Sequence, residues 1–258
     1  MRLFLILSCL LIVGCAHSGP RFDRAASLER AAEDRYEYDN RQMYDLNRKI
    51  DKYSLKPATD VYRAVLPPPV RYGLNNLYST MGEPSNALNA AMQGKPKRFF
   101  RAIDRLLINS ILGFGVIDRA TQLNLPRQPN DFGQTLAVWG VHSGPFIMAP
   151  VIGPQTARDG VGFLVDFFLD PLDLLQNKYL SQTERSAKLA GRIIVTRARV
   201  GDQAEQFLAG SADEYATVRS AWLQMRRAEL YDGNPPLIED DEYIEPYPDD
   251  LPPPEAAK

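Results

Sequence analysis

Apolar residues recur at helical spacing through most of the chain between residues 38 and 232. The clearest example follows Pro96, which stands at a favourable first helical position. One predicted face is apolar and carries Phe99, Phe100, Ile103, Leu106 and Leu107. The opposite face is charged and carries Lys97, Arg98, Arg101, Asp104 and Arg105. This spacing predicts an amphipathic helix.

Other segments of this region also show helical patterns. Apolar and basic positions are interspersed at helical spacing over residues 185–199, and residues 39–55 and 70–92 show shorter patterns. Ser211 and Glu214 have the spacing of a capping box, which predicts that the last helix begins there. No run of alternating β-branched residues bounded by hairpin turns occurs. The chain is therefore predicted to be mostly α.

A different pattern is the window from Phe132 to Ala157, which contains 26 consecutive residues without Asp, Glu, Lys or Arg. It is long enough to cross a bilayer, but glycines and prolines interrupt it and forbid one regular helix. Irregular backbone is tolerated at membrane depth only inside protein or beside a wet cavity. We therefore expect either the wall of a passage in a membrane-embedded protein, or an ordinary buried loop and helix of a soluble domain. The apolar neighbours, residues 111–117 and 161–169, favour the passage.

The N-terminal residues have the pattern of a bacterial lipoprotein signal. Arg2 supplies a positive charge, residues 3–13 are mainly apolar, and a small residue precedes Cys15. This predicts that residues 1–14 are removed and that Cys15 is the lipid-attachment residue, whose three acyl chains give stable anchoring. Ala16 follows the cysteine where Asp would favour the inner membrane, so we expect the outer membrane with periplasmic exposure. The alternative is a plain cleaved signal with an incidental cysteine.

Polar composition separates a helical body from both ends of the chain. Residues 15–37 are polar and charged, and they are predicted to be a tether between the lipid and a helical domain at residues 38–232. Residues 233–258 combine acidic runs with proline and few apolar residues, so they are predicted to be a disordered tail. The body is long enough for one sizeable domain.

The charge balance and the small numbers of histidine and cysteine residues exclude several classes of function. The chain has 30 basic and 32 acidic residues, a balance that argues against nucleic-acid binding. Its two histidines, and a single cysteine in the predicted mature chain, argue against a multi-histidine or cysteine metal site. We therefore expect no cofactor, no metal and no catalytic residue.

Ordered sequence blocks in the body resemble those of the MlaA (VacJ) family of Gram-negative outer-membrane lipoproteins. They extend from about residue 40 to residue 233, behind the predicted lipid-attachment site. The blocks include residues 47–48, 66–71, 83–84, 93–94, 109–110, 113–115, 131–136, 139–141, 144–146, 153–154 and 158–159. Two departures are Tyr38-Asp39-Asn40 in place of the usual Asp-Pro, and Val116 in place of a second glycine.

The resemblance implies a single ring-like bundle of amphipathic helices that lies in the membrane, mainly at the inner leaflet of the outer membrane, around a central amphipathic channel. It also implies association with a trimeric outer-membrane porin and transfer of glycerophospholipid to a periplasmic carrier, MlaC. Family members use no ATP and break no covalent bond. We therefore expect a lipoprotein that removes mislocalised phospholipid from the outer leaflet through a passive channel.

Two groups of residues are expected to form the path. Gly113, Phe114, Gly115 and Asp118 are expected to form a channel or gating loop, because glycine permits unusual backbone angles. The expected channel wall or mouth consists of Asp131, Phe132, Gly133, Gly140, Gly144, Pro145, Gly153, Pro154, Arg158 and Asp159. Tight packing, turns, helix caps and local ion pairs are the alternative roles for these residues.

Aromatic and basic residues outside these groups have two open roles each. Two locations are compatible with the aromatic residues, the bilayer interface and a buried core; these residues are Trp139, Phe146 and Tyr179. The basic residues could either contact lipid phosphates or the carrier, or lie on a solvated helix face; they are Arg71, Lys95, Lys97 and Arg98.

Two other functions are compatible with this sequence. A structural lipoprotein that scaffolds a porin or envelope complex would carry the same anchor and helices. A lipoprotein phospholipase would use Ser143 beside His142, although no nucleophile-elbow motif is present. Lipid transfer separates the transporter from the scaffold, and lipid hydrolysis identifies the enzyme.

Overall fold

The computed structural model describes residues 24–176 and 179–235. The predicted signal, Cys15 and the tail from residue 236 onward lie outside the described residues. Helices in chain order are α1 (Arg24–Ala32), α2 (Glu37–Ile50), α3 (Lys56–Val65), α4 (Pro68–Met81), α5 (Glu83–Met92), α6 (Pro96–Ile111), α7 (Arg119–Gln122), α8 (Phe132–Val138), α9 (Ala157–Leu169), α10 (Pro171–Gln176), α11 (Gln182–Leu208) and α12 (Glu214–Leu230). A π-helical turn, Asp51–Leu55, joins α2 to α3. The prediction of a mostly α protein is confirmed.

A small antiparallel sheet lies inside the charge-free window. Strand β1 (Phe146–Ala149) pairs with β2 (Gly153–Thr156), with Phe146 opposite Thr156. The helix α8 precedes this hairpin, and α9 begins directly after it. The window is therefore not one regular helix, as its glycines and prolines predict, whereas the hairpin was not predicted.

Helix boundaries follow the local sequence signals, with one correction. Pro96 and Pro68 each stand at the first position of a helix, where a missing N–H costs nothing. The last helix begins at Glu214 rather than after Ser211, because Asp213 is the residue whose side chain accepts from the Ala216 N–H. A true capping box opens α11 instead, between Ser181 and Glu184.

The first described helix packs against the last. Leu28 of α1 is buried with Ala137 and Leu230, and Leu223 and Tyr231 pack around them. The neighbouring Ser27 is also buried. Ordered contacts with the body therefore begin within residues 15–37, the segment predicted to be a tether, because α1 has an apolar face to bury.

The interior of the molecule is rich in polar side chains, while large apolar side chains lie on its surface. On α6, Arg105 and Asn109 are buried, whereas Phe100, Leu107 and Ile111 are exposed. Arg105, on the face predicted to be charged, is therefore buried, whereas Lys97 and Asp104 of the same face are exposed. Among the described helices, none combines the length and apolar content needed to cross a membrane.

A second helix repeats this arrangement. The α9 helix buries Arg158, Asp159 and Gly162. Its exposed residues include Val161, Phe163, Leu164, Phe167 and Phe168. Buried polar groups and exposed large apolar residues are the informative exceptions to ordinary burial, so these two faces require an explanation.

Candidate functional site

The α5 helix carries a row of buried polar side chains, which we call the polar spine. It consists of Glu83, Asn86, Asn89 and Gln93, all of them buried. Their spacing of three or four residues places them on one face of the helix. Because a buried polar group is costly without a hydrogen bond, each of these side chains needs partners on the helices around α5.

At one end of the spine, Glu83 forms a buried salt bridge with Arg105 of α6. The Arg105 Nε donates to Glu83 Oε1 at 2.7 Å, and both side chains are 1% exposed. The Asn86 amide donates to the other carboxylate oxygen of Glu83 at 2.9 Å. Arg105 Nη2 also lies 3.3 Å from both carboxylate oxygens of Asp118. This contact connects the spine to the base of the predicted gating loop.

At the other end of the spine, Asn89 and Gln93 join α8 and α9. Asn89 Nδ2 donates to Asp166 Oδ1 at 3.0 Å, while Thr135 Oγ1 donates to Asn89 Oδ1 at 2.8 Å. Gln93 Nε2 donates to the same Thr135 hydroxyl at 3.1 Å. Burial raises the pKa of Asp166 to about 6, although its carboxylate also accepts a 2.7 Å hydrogen bond from the Phe132 N–H. The spine therefore holds four helices together through polar contacts.

The predicted gating loop, residues 113–118, is anchored at its base by Asn109. The Asn109 Nδ2 donates to Asp118 Oδ1 at 3.2 Å, and its Oδ1 accepts from the Ala120 N–H at 2.9 Å. On the other side, Asn76 of α4 donates to the Val116 carbonyl at 3.1 Å. Asp118 also caps α7, since its side chain accepts from the Thr121 N–H. Hydrogen bonds to α4, α6 and α7 thus fix the base of the loop.

The tip of this loop has an unusual backbone. Phe114 and Gly115 have positive φ angles of 50° and 75°, a region that glycine adopts readily and phenylalanine does not. A Cβ atom at Gly113 would lie 2.1 Å from the Ile117 carbonyl oxygen, so the close approach requires glycine. The Phe114 side chain is 82% exposed. The loop therefore presents an aromatic ring outward from a tightly anchored base.

The charged residues that flank the window form a cluster with Arg226 of α12. Arg226 Nη1 lies 2.6 Å from Asp131 Oδ2, and its Nη2 lies 2.8 Å from Asp159 Oδ1. Arg158 Nη2 lies 3.0 Å from the same oxygen of Asp159. Burial opposes ionisation of Asp131, but the hydrogen bonds from Arg226 outweigh it and hold the pKa of Asp131 below its ordinary value. Asp131 also caps α8 through the Gln134 N–H. The geometry thus gives Asp131, Arg158 and Asp159 the alternative roles of helix cap and ion pair.

Two glycines allow α8 and α9 to touch through their backbones. A Cβ atom at Gly162 would lie 2.3 Å from the backbone nitrogen of Gly133. A Cβ atom at Gly133 would lie 2.6 Å from Asp159 Oδ1 and 2.7 Å from Arg226 Nη2. No side chain larger than hydrogen fits at either position without movement, so Gly133 is a packing residue at the centre of the charged cluster.

The remaining predicted wall residues surround the hairpin. They follow α8, precede β1 or begin β2, and they are Gly140, Gly144, Pro145, Gly153 and Pro154. Phe132 is buried, with its ring 5.8 Å from that of Trp139 in an edge-on contact. These residues lie with α8, α9 and α12, apart from the gating loop and its partners on α4, α6 and α7. The predicted site residues therefore form two groups, which the polar spine connects.

The structure places in different environments the three aromatic residues that were expected either at the bilayer interface or in a buried core. Phe146 is fully buried in a cluster with Met148 and Tyr215, so it is a core residue. Trp139 is half-buried and its Nε1 donates to the Met92 carbonyl at 3.0 Å. Tyr179 is exposed. Of the three, Tyr179 is the most exposed.

Ser143 is buried and makes structural contacts with α1. Its hydroxyl donates to the Ser27 carbonyl, and its N–H donates to Ser27 Oγ at 2.7 Å. Ser143 is 1% exposed, and these bonds dock α1 onto the segment before β1. Within residues 24–176 and 179–235, no group of three or more His, Cys, Asp or Glu side chains is placed to hold a metal ion.

Sequence reasoning missed the partners that organise these groups. Arg226 lies 95 residues after Asp131, and nothing in the local pattern of α12 distinguishes it from the neighbouring arginine. Asn86 was also missed, although its spacing from Glu83 and Asn89 was a detectable signal. A predicted helix with polar residues at every third or fourth position on one face indicates a polar contact surface.

These features define a membrane-associated helical protein, with hydrogen-bonded polar residues inside and apolar helix faces outside. The chain belongs to the MlaA lipoprotein family, because residues 32–229 match the family model described as MlaA lipoprotein. The resemblance in the sequence blocks is thereby confirmed.

Individual relatives support the same assignment. The chain is 34% identical over 225 residues to the intermembrane phospholipid transport system lipoprotein MlaA of Escherichia coli (strain K12), covering 85% of this chain and 84% of that one. It is 30% identical over 251 residues to the protein of the same name from Haemophilus influenzae, covering 95% and 94%. A solved structure described as "Structural basis for maintenance of bacterial outer membrane lipid asymmetry" is similar with a TM-score of 0.64 and 33% identity. The match covers 78% of this chain and 99% of that one.

Proposed function

We propose that this protein is an outer-membrane lipoprotein that removes mislocalised phospholipid from the outer leaflet and passes it to a carrier in the periplasm. The observation that carries the proposal is the arrangement of a polar interior inside apolar outer faces. A phospholipid has a charged head and apolar tails, so its path needs a polar lumen within a body that contacts hydrocarbon. The relatives named as phospholipid transport lipoproteins support this assignment.

The apolar faces are the surfaces that we propose to contact lipid. Phe100, Leu107 and Ile111 project from α6, and Leu164 and Phe168 project from α9. An amphipathic helix with such a face binds in the plane of a leaflet, with its apolar side in the acyl region. The acyl chains on Cys15 would add a second attachment, and two attachments together give stable anchoring.

The gating loop is the proposed moving part of a passive channel. Its base is held by Asn76, Asn109 and Asp118, while its tip exposes Phe114. A loop with a fixed base and an apolar tip can change its position relative to lipid without unfolding the helices beside it. The wall group, from Asp131 to Asp159, would form the rigid side of the passage. No ATP is needed if the carrier binds the lipid more tightly than the channel does.

A trimeric porin and a soluble carrier are the proposed partners. The exposed apolar faces provide area for a membrane-embedded partner as well as for lipid. The relatives are named as parts of an intermembrane transport system, which is in keeping with a carrier that crosses the periplasm. A protein that only scaffolds a porin would present the same faces but transfer no lipid.

The decisive experiment measures phospholipid in the outer leaflet of cells with and without this protein. We expect phospholipid to accumulate on loss of the protein and to return to normal when the wild-type chain is restored. A Cys15→Ser variant should fail to restore it, because that chain lacks the acyl anchor. An unchanged outer leaflet after loss would reject lipid removal and leave the scaffold as the better function.

A further inference from the structure

A small cavity lies between α4, α11 and the start of α10, and its lining carries both acidic and basic side chains. The lining includes Tyr78, Gly82, Asp170, Asp173, Lys188 and Arg192. The helices α4 and α11 touch directly here, since a Cβ atom at Gly191 would lie 2.4 Å from the Tyr78 hydroxyl. The cavity is therefore a defined place in the fold, between the polar spine and the long helix α11.

Arg127, from the segment between α7 and α8, reaches the same place. Its Nη2 lies 3.4 Å from the position that a Cβ on Gly82 would occupy. The side chain is accessible to solvent, yet the protein around it removes part of its hydration and lowers its pKa. Glu83 opposes this effect, whereas the positive charges of Arg199, Arg105 and Arg192 lower the pKa further. Several guanidinium groups thus act on one another across this cavity.

Two of the nearby carboxylates are already engaged by other cations, and a third accepts from backbone groups. Glu83 pairs with Arg105, Asp173 pairs with Lys188, and Asp170 accepts from the N–H groups of Leu172 and Asp173. Farther along α11, the carboxylates face Lys56, Arg63 and Arg197. These contacts are Asp202 with Arg63 at 2.8 Å, Glu205 with Lys56 at 2.9 Å and Glu205 with Arg197 at 2.6 Å. The paired carboxylates therefore leave an excess of positive charge around Arg127.

Four arginines in this part of the described chain form no hydrogen bond or ion pair with a protein group. They are Arg71, Arg127, Arg192 and Arg199. The Nε of Arg71 is buried and has no hydrogen-bond partner, although Arg71 is close enough to act electrostatically on Tyr62 of α3. A buried donor without a partner is costly, so a ligand that supplies an acceptor to this Nε would remove that cost.

We infer that Arg71, Arg127, Arg192 and Arg199 form a phosphate-binding site that favours glycerophospholipids with a net negative head group over zwitterionic ones. The inference rests on the proposed function and names the lipid class that the path prefers. Guanidinium groups suit phosphate oxygens because they offer paired donors in a fixed plane. A zwitterionic head group also brings an ammonium group into the excess positive charge, and this like-charge repulsion weakens binding.

The test is a binding titration of the full-length protein in detergent with short-chain, water-soluble lipids. Phosphatidylglycerol and phosphatidylethanolamine with the same acyl chains are compared, and inorganic phosphate is titrated separately. We expect the wild-type chain to bind the phosphatidylglycerol at least about fivefold more tightly. In Arg127→Gln and in Arg192→Gln, this ratio should fall towards one.

Arg185→Gln is the matched control. Arg185 lies on α11 with Arg192 and Arg199 and is exposed like them, but its guanidinium donates to the Leu180 carbonyl. This variant should keep the wild-type preference. Arg199→Gln gives a second test of the site, and the thermal unfolding of each variant identifies any that has lost its fold. Arg127→Lys should retain part of the preference, because it keeps the charge but loses the paired donors.

The outcomes separate this inference from the proposed function. Equal affinity for both lipids, or a preference that Arg127→Gln and Arg192→Gln leave unchanged, overturns the head-group site while lipid transport stands. Tight binding of inorganic phosphate without a lipid preference also overturns it, because the site would then serve a free anion. Failure of the wild-type chain to bind either lipid would count against the proposed function as well.

Discussion

At the scale of single residues, the stability of the fold depends on a few buried polar contacts. Water cannot reach these groups to replace a partner that is lost. Glu83 and Arg105 are each 1% exposed, and their charges face one another at 2.7 Å. Desolvation of two charges can offset much of their attraction. Removal of one partner alone destabilises the fold, because the other charge then remains buried and unpaired.

We therefore expect Glu83→Gln to destabilise the fold by about 3–5 kcal/mol. Glu37→Gln is the control, since Glu37 pairs with Arg41 at the surface at 2.8 Å and should contribute less than about 1 kcal/mol. Chemical unfolding of the detergent-solubilised protein measures both. Equal losses in the two variants would show that the Glu83–Arg105 pair has no special role.

Gly162 tests whether backbone contact between α8 and α9 is required. Alanine there would place its Cβ 2.3 Å from the Gly133 nitrogen, so Gly162→Ala should destabilise the fold by at least about 1–3 kcal/mol. Gly160 lies on the same helix with nothing within 4 Å of a Cβ, so Gly160→Ala should be neutral or stabilising by up to about 1 kcal/mol. Thermal unfolding compares them, and a harmless Gly162→Ala would contradict the close contact.

Asp166 should make stability depend on pH. Burial raises its pKa from 3.8 to about 6, so the folded chain holds this proton more tightly than the unfolded chain. The protonated carboxyl therefore contributes its full share of stability below about pH 4, and this share is lost as the pH rises through about 6. The Asp166→Asn variant has no carboxyl to ionise. Its free energy of unfolding relative to that of the wild-type protein should therefore rise across that interval by on the order of 1–3 kcal/mol. Unfolding of both proteins at several pH values measures this, and a constant difference would refute it.

At the scale of elements, the gating loop is the segment whose movement can be tested directly. A Cβ atom on Gly73 of α4 would lie 3.4 Å from the Cβ of Val116 in the loop. Disulfides join Cβ atoms about 3.5–4.5 Å apart, so cysteines at these two positions can bond with little movement. The crosslink would tie the loop to α4.

We expect oxidised Gly73→Cys/Val116→Cys protein to remain attached to the membrane but to lose most of its lipid transport, which reduction should restore. Each single-cysteine variant is the control and should transport lipid normally under both conditions. Outer-leaflet phospholipid is the quantity measured. Normal transport by the fully oxidised double variant would show that loop movement is not needed.

Elements also show how far local sequence predicts structure. The start of α6 at Pro96 follows from its sequence, and so does the break of the window by glycine and proline. The start of α12 does not follow from its local sequence, because Ser211 and Asp213 are both good capping residues and lie two positions apart. Which of them caps depends on where the turn after α11 ends, and that is set by the packing of α11.

At the scale of the whole molecule, the outward apolar faces predict membrane binding apart from the acyl chains. In the Cys15→Ser background, Leu107→Glu should weaken binding to phospholipid vesicles about tenfold or more, because a charge in the acyl region costs several kcal/mol. Gln122→Glu adds the same charge at an exposed polar position of α7 and should change binding little. Vesicle co-sedimentation measures both variants. Equal binding by both variants would mean that α6 does not contact lipid.

The sequence by itself determined the helical content, the position of several helix starts, the predicted lipid-attachment cysteine and the family. These features follow from local signals, namely the spacing of apolar residues, the positions of proline and the order of short motifs. The same signals identified Glu83, Gln93 and the Gly113–Asp118 segment as notable without assigning their contacts.

Only the tertiary structure decided which face of each helix lies inside. Periodicity separates two faces of α6, but it does not state whether water, lipid or protein meets each one. The fold buries Arg105 and exposes Phe100, since Glu83 and Asp118 satisfy the arginine from other elements. The pairing of Arg226 with Asp131 and Asp159 likewise depends on contacts distant in sequence. A polar side chain can be buried only where its partners converge, and that convergence is a property of the folded chain.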